Sequence, residues 1–259
     1  MEHTISEETR FVNALLLYLS TIIAYNKDME TITITKNTSP IASWITDKIN
    51  NLQEKDKITI LLPGGRSIIP VLKELKKTAL PWKKLHFFLA DERCVPQDHP
   101  DSNYKALREH FFLSLIEEGK IAQGNIHPYT HIQDTPHTAL ENYIKDFCAI
   151  CDKPDISILG AGEDGHIASL FPHHPSIMDD SPYYISVTDA PKPPPIRISA
   201  SKTLLESSTY CLVLFLGEAK REALRRFLSP DTTVRDCPAK LCLQTDNPAI
   251  ATDQTDILQ

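Results

Sequence analysis

Four short stretches of the 259-residue chain hold most of the side chains that could do chemistry. The richest is Leu159–Pro172, LGAGEDGHIASLFP, where Asp164 and His166 sit among Gly160, Gly162 and Gly165. Histidine is the side chain best suited to accept and return a proton near pH 7, and an aspartate two residues away can orient or tune it. In Pro63–Ser67, PGGRS, Gly64 and Gly65 let backbone amides face outward, while Arg66 and Ser67 can donate to phosphate oxygens. A helix starting there adds partial positive charge, so the turn reads as an anion cradle. Asp91-Glu92-Arg93 closes an apolar run, and three charges in that position must be paired or used. Arg93 is expected to meet an anionic or carbonyl oxygen, with Asp91 positioning it. Arg197 follows the run Pro191–Pro195 (PKPPP), and Lys220 follows Gly217; both are candidates to close a phosphate pocket over Gly64 and Gly65.

The spacings also exclude. The Pro63–Ser67 turn is neither GxxxxGK[ST] nor GxGxxG, which argues against a nucleotide P-loop or a dinucleotide site there. Without GxSxG, Ser169 ranks low as a covalent nucleophile. His173-His174 has no further ligands at metal-site spacing, and Cys148-x-x-Cys151 has no second knuckle, so no metal is expected.

These residues need a scaffold that brings loop ends together. Thr31–Thr35, Ile58–Leu62, Leu85–Ala90, Asp155–Leu159, Tyr183–Val187 and Tyr210–Leu216 read as strands. Pro40–Leu52, Ser67–Leu75, Ser102–Glu118, Thr138–Ile150 and Glu218–Leu228 read as helices, with Asp101 or Ser102 capping the third. Apolar strands alternating with helices predict an α/β fold whose parallel sheet is covered on both faces. In such sheets ligands bind beyond the carboxyl ends of the strands, where the glycine clusters fall. Lys202, Arg221, Arg225 and Arg226 read as a solvated helix face.

Composition narrows the class further. Only 8 glycines occur where about 18 are usual, and six of them lie in Gly64-Gly65, Gly160/Gly162/Gly165 and Gly217. The net charge of −7, with no long basic block, gives no footprint for nucleic acid. The six cysteines read as reduced thiols, and the expected location is the cytoplasm. The apolar run Phe11–Tyr25 is shorter than a membrane span and follows an acidic MEHTISEETR, so residues 1–26 are expected to form a helical extension before one domain over 27–259.

Taken together, PGGRS (63–67), DERCVPQDHPDSN (91–103), LGAGEDGHIASLFP (159–172), RISAS (197–201) and LGEAK (216–220) resemble the 6-phosphogluconolactonase family, in the family's order. The resemblance implies a Rossmann-like three-layer αβα sandwich with a mostly parallel sheet. It implies hydrolysis of 6-phosphoglucono-1,5-lactone to 6-phosphogluconate, the second step of the oxidative pentose phosphate pathway, with no metal or organic cofactor. The related glucosamine-6-phosphate deaminases typically follow DGHIA with FNEP and read DEY, where this chain has Ser169–Pro172 (SLFP) and Asp91-Glu92-Arg93. Pro63 replaces a serine common in lactonases, and Leu241–Asp246 lacks their frequent tryptophan. The implied site comprises His166 as general base, Asp164, Arg93 and Asp91, with Gly64, Gly65, Arg66, Ser67, Arg197 and Lys220 around the phosphate. Whether His166 or Asp91 takes the proton stays open at this level, as does a homo-oligomeric state. The implied partner is a small sugar-phosphate lactone. A deaminase/isomerase and a non-enzymatic sugar-phosphate sensor are the competing readings; the sensor lacks a basic recognition helix.

Overall fold

The computed structural model describes residues 29–132 and 135–258; the N-terminal helical extension expected over residues 1–26 lies outside them. In chain order, β1 (Glu30–Thr33) leads to α1 (Ser39–Asn50), β2 (Ile58–Leu62), α2 (Ile68–Leu75), β3 (Leu85–Leu89) and a short β4 (Asp91–Arg93). Next, α3 (Asn103–Leu107) runs through a π turn (Arg108–Phe112) into α4 (Leu113–Glu117). Then come β5 (Ile126–His127), α5 (Pro136–Cys148), β6 (Ile156–Gly160), β7 (Tyr184–Val187) and β8 (Arg197–Ala200). The described chain closes with α6 (Lys202–Glu206), β9 (Tyr210–Phe215), α7 (Arg221–Leu228) and β10 (Asn247–Thr252).

Seven strands form a sheet in the order β1-β10-β9-β6-β2-β3-β5, and every pairing in it is parallel. Alternation along each strand divides the core between the two faces. Ile60, Leu62 and Phe87 pack with Ile41, Ile45, Ile68 and Phe111, whereas Leu61 and Phe88 pack with Tyr143, Phe147, Leu204 and Phe227. Helices α1 to α4 therefore cover one face, and α5 to α7 the other, giving the three layers. The helices earn these places by spacing: α5 buries Ala139, Tyr143 and Phe147, each one turn further along. Pro40, Pro70 and Pro136 all fall in first turns, where a missing N–H costs nothing.

Chain order reverses between β2 and β6. From β2 the sheet builds outward through β3 and β5, and from β6 it builds the other way through β9 and β10. That reversal opens a crevice at the carboxyl ends of these two strands.

A second sheet, β4-β8-β7, is antiparallel. Asp91-Glu92-Arg93, read from sequence as the end of an apolar strand, is its edge strand, and the period of two sends Glu92 away from its neighbours. Glu92 is 2% exposed. Its carboxylate accepts the amides of Arg93, Asn103 and Tyr104 (2.7, 2.8 and 2.8 Å) and the Ser102 hydroxyl (3.0 Å), anchoring the start of α3. Ser102 is the side-chain cap, accepting from the Lys105 amide at 3.1 Å. All four groups donate to Glu92, which suits its ionised form, although burial pushes its pKa up. Glu92→Ala leaves two buried amides, a part-buried one and a buried hydroxyl without their acceptor, so a loss of about 2–4 kcal/mol is expected in urea unfolding. An unchanged midpoint removes this anchoring role.

At the β3–β5 edge, His86 Nδ1 and His127 Nε2 lie 3.0 Å apart, and His127 stacks on Phe88. Burial, with the charges of His86 and Lys57, pushes His127 down to about 4. The unfolded chain protonates this residue near its ordinary value of about 6.5, the folded chain only near 4. Between those values the unfolded state binds more protons, so stability falls as pH drops through this window. Urea midpoints measured from pH 7.5 to 4.5 should fall less steeply in His127→Gln than in the wild type; parallel slopes contradict the assignment.

Candidate functional site

The crevice is a cleft of about 630 Å³. Its walls are the turn after β2, the loop after β6, the turn after β9 and one face of β4. Gly64, Gly65, Arg66, Ser67, Asp91, Arg93, His166, Arg197 and Lys220 all line it. Asp164 stands just behind, bonded to His166. The sheet thus brings together residues spread over more than 150 positions of sequence.

The loop after β6 is built around His166. The Gly162 amide donates to the His166 carbonyl at 2.7 Å, and the His166 amide to Asp164 Oδ1 at 3.3 Å. A Cβ on Gly162 would lie 2.0 Å from His166 Nδ1 and 2.6 Å from Asp164 Oδ1, so only glycine lets this pair close over the strand end. Asp164 Oδ1 holds His166 Nδ1 at 2.5 Å. That bond leaves Nε2 as the nitrogen for the cleft that His166 lines. The imidazole rests against Phe171, with ring centroids 4.7 Å apart. Burial raises the Asp164 carboxyl, but the bond and charge of His166, the His166 amide and Lys192 outweigh it and hold the carboxyl well below the usual range. Asp164 is therefore an anion at neutral pH and fixes which imidazole nitrogen carries the proton.

The turn after β2 presents the N-terminus of α2, with Gly65 at φ +90°. A Cβ on Gly64 would meet Asn103 Oδ1 at 1.9 Å, so glycine allows the turn to sit directly on Asn103. Asn103 in turn donates to the Asp91 carbonyl (2.9 Å) and carboxylate (3.3 Å), coupling the anion cradle to β4. Arg66 is exposed at the cleft.

Asp91 does not touch Arg93, contrary to the sequence expectation. Neighbours on β4 are separated along the strand, and Asp91 faces buried partners instead. Its carboxylate accepts from Ser169 Oγ at 2.7 Å and pairs with Arg197 Nη1 at 3.7 Å. Arg93 Nη1 donates to the Asp101 carbonyl at 2.6 Å, and its Nε is buried with no partner among the described residues. Ser169 is fully buried and spends its hydroxyl on Asp91, which disqualifies it as a nucleophile. Arg197 lines the cleft but is 4% exposed, with Nε and Nη2 committed to the carbonyls of Pro194 and Lys192 at 3.0 and 2.8 Å. It offers charge to the pocket wall more than a free fork. Lys220 is half-buried. Burial pushes its ammonium below the ordinary value against the pull of Glu163, and Lys192 adds to the push.

Asn103 ends the 91–103 stretch with no role of its own expected from sequence, and Asp253 and Lys192 had no sequence signal. Asn103 and Asp253 line the cleft, and Asp253 accepts the Gly217 amide at 3.0 Å. Lys192, hidden inside the proline run, also lines the cleft and places Nζ 3.5 Å from Asp164 Oδ2. Among the described residues no three His, Cys, Asp or Glu side chains converge as a metal site requires. His173 and His174 turn to different carboxylates, Asp236 and Asp189. None of the described helices is long and apolar enough to cross a membrane.

The model of the family described as glucosamine-6-phosphate isomerases/6-phosphogluconolactonase matches residues 35–251, which include β4 and the loops after β2, β6 and β9. A 6-phosphogluconolactonase of Borreliella burgdorferi is 35% identical over 208 residues, covering 80% of this chain and 88% of that protein. The crystal structure of 6-phosphogluconolactonase from Thermotoga maritima matches with a TM-score of 0.71 at 29% identity, over 86% of this chain and 99% of that one. A 6-phosphogluconolactonase structure from Shewanella baltica, 21% identical, shares the fold with a TM-score of 0.73 over 87% of this chain and 97% of its own. With its cleft, its loops and most of its length matched, the chain belongs to the glucosamine-6-phosphate isomerase/6-phosphogluconolactonase family.

Proposed function

We propose that this protein hydrolyses 6-phosphoglucono-1,5-lactone to 6-phosphogluconate, in the oxidative pentose phosphate pathway, by general-base activation of water. The observation that carries the mechanism is the Asp164–His166 bond of 2.5 Å at the mouth of a cleft ringed by Arg66, Arg93, Arg197, Lys192 and Lys220. His166 Nε2 takes a proton from a water molecule, and the resulting hydroxide attacks the ester carbon. Arg93 neutralises the charge that develops on the carbonyl oxygen. When the tetrahedral intermediate collapses, the ring oxygen leaves and receives the proton from His166. Asp164 supports the imidazolium between these two transfers. General-base catalysis contributes about 10²–10⁴-fold, and oxyanion stabilisation a comparable factor, on an ester already reactive in water.

The 6-phosphate sits at the Gly64–Ser67 turn, where the start of α2 supplies amides and partial positive charge. Arg66, Ser67 and Lys220 are its side-chain partners, with Arg197 adding charge from the wall. A cytoplasmic location is part of the same proposal. All six cysteines are free, three of them fully buried, which suits a reducing compartment.

Lactone hydrolysis coupled to a 6-phosphogluconate dehydrogenase, with the spontaneous rate subtracted, tests the activity; glucosamine 6-phosphate should release no ammonia. His166→Ala should lower kcat by about 100-fold or more while the circular dichroism spectrum is retained. Near wild-type turnover in that variant sinks the base assignment. Lys220→Ala and Arg66→Ala should each raise KM by about tenfold with kcat nearly held, since a phosphate remote from the ester is bound alike in ground and transition states. If KM is unchanged in both, the phosphate lies elsewhere.

A further inference from the structure

Among the described residues, Lys192 is the one cleft cation with no role in the mechanism above, and its placement is tightly built. The strap that carries it, Pro191–Pro195, has little freedom of its own. Arg197 clamps the strap from beneath: Nη2 donates to the carbonyls of Lys192 (2.8 Å) and Pro193 (3.3 Å), and Nε to that of Pro194 (3.0 Å). The Ala190 amide closes it onto the Pro195 carbonyl at 3.0 Å. Arg197 is itself held by Asp91 and lies over the Phe171 ring, 5.5 Å from its centroid. The position of Lys192 thus follows from the buried framework rather than from a mobile loop.

From that strap, Lys192 Nζ reaches to 3.5 Å from Asp164 Oδ2, the oxygen that His166 does not use. The three side chains form a line, Lys192–Asp164–His166. We propose that Lys192 is a positioning residue for the hydrolytic pair, acting through Asp164. Its ammonium fixes Oδ2, so that Oδ1 stays on His166 Nδ1 and Nε2 stays turned to the cleft. It also offsets part of the Asp164 charge that faces His166. This inference rests on His166 being the general base.

Other charged groups face the pair and must be counted. Glu163 and Lys220 approach from the cleft side. On the other side Asp164 borders a groove with His173, Arg226 and Asp236, where His173 pairs with Asp236 at 3.4 Å and Arg226 with Glu222 at 3.5 Å. Among these, Lys192 is the cation in direct contact with Asp164. Removing it leaves Asp164 with more uncompensated charge beside the imidazole. That charge stabilises the imidazolium, so the acid limb of the pH–rate profile moves up.

The test compares Lys192→Met and Lys192→Arg, alone and on an Asp164→Asn background, by kcat, KM and the pH dependence of kcat/KM for the lactone. Lys192→Met should lower kcat about five- to tenfold and move the acid limb up by about 0.5 units, with KM changed less than twofold, and Lys192→Arg should restore most of both. On Asp164→Asn the same substitution should have little further effect, because its target has lost its charge. A rise in KM with the acid limb unmoved, or a full additional loss on Asp164→Asn, overturns the proposal and makes Lys192 a direct ligand of the substrate. His166→Ala reports on the underlying reading separately. If that variant stays active the general base is wrong, whereas an inactive His166→Ala with a normal Lys192→Met overturns this proposal alone.

Discussion

A buried carboxylate must find donors or abandon its charge, and Asp91 satisfies that demand by drawing four segments of chain to one point. Its side chain is 9% exposed and that of Arg197 5%. Ser169 comes from the loop after β6, Asn103 from the start of α3, and Arg197 from β8. Each partner has a second task. Asn103 supports the Gly64 turn, Ser169 follows directly on the His166 loop, and Arg197 clamps the strap that carries Lys192. Breaking such a pair by removing one side typically costs about 3–5 kcal/mol, because an uncompensated charge is left behind. The turn after β2, the Asp164–His166 pair and the strap are therefore held in register by one ionic cluster. That cluster needs no contact with substrate to matter for catalysis.

The scaffold was legible in the sequence where burial is on both sides of a strand. YCLVLF is an unbroken apolar run and ITILL is interrupted only by Thr59, and they became β9 and β2 almost residue for residue. The strands that escaped notice are those where other needs override that pattern. Asn247–Thr252 has Pro248 as its second residue and two alanines among its six, yet it pairs with both β1 and β9, so its contribution is backbone pairing more than side-chain bulk. Ile126–His127 is two residues long. Asp91–Arg93 and Arg197–Ala200 carry charges because they form the polar lip of the cleft, and a hydrophobic period cannot report on that.

The site divides the same way. His166, Asp164, the glycine pair and Lys220 were legible because close approach to a ligand or to a neighbouring side chain forces glycine nearby, and glycine is scarce elsewhere in this chain. Gly162 is the clearest case, since any side chain there would occupy the space of the His166 ring. Long-range pairing has no such signature. Nothing local to Asp91 announces Arg197, 106 positions away, and adjacency in sequence suggested Arg93 instead. Lys192 was masked for a related reason: among prolines it reads as part of a connector, and its value depends on where the strap is pinned.

These contacts bear on which carboxylate or imidazole handles the proton. An aldose–ketose conversion needs a base that moves a proton between neighbouring carbons, and Asp91 is a second candidate proton acceptor on the cleft wall. Here that carboxylate accepts from Ser169 and Asn103 and is paired with Arg197, so its charge is offset. His166 has the opposite standing. Asp164 occupies Nδ1 and supports positive charge, while Nε2 has an open cleft before it. On the proposed reading, His166 is the single group that first removes a proton from water and then returns it to a leaving oxygen. Ester hydrolysis asks for that sequence, and the geometry supports it over isomerisation on the same scaffold.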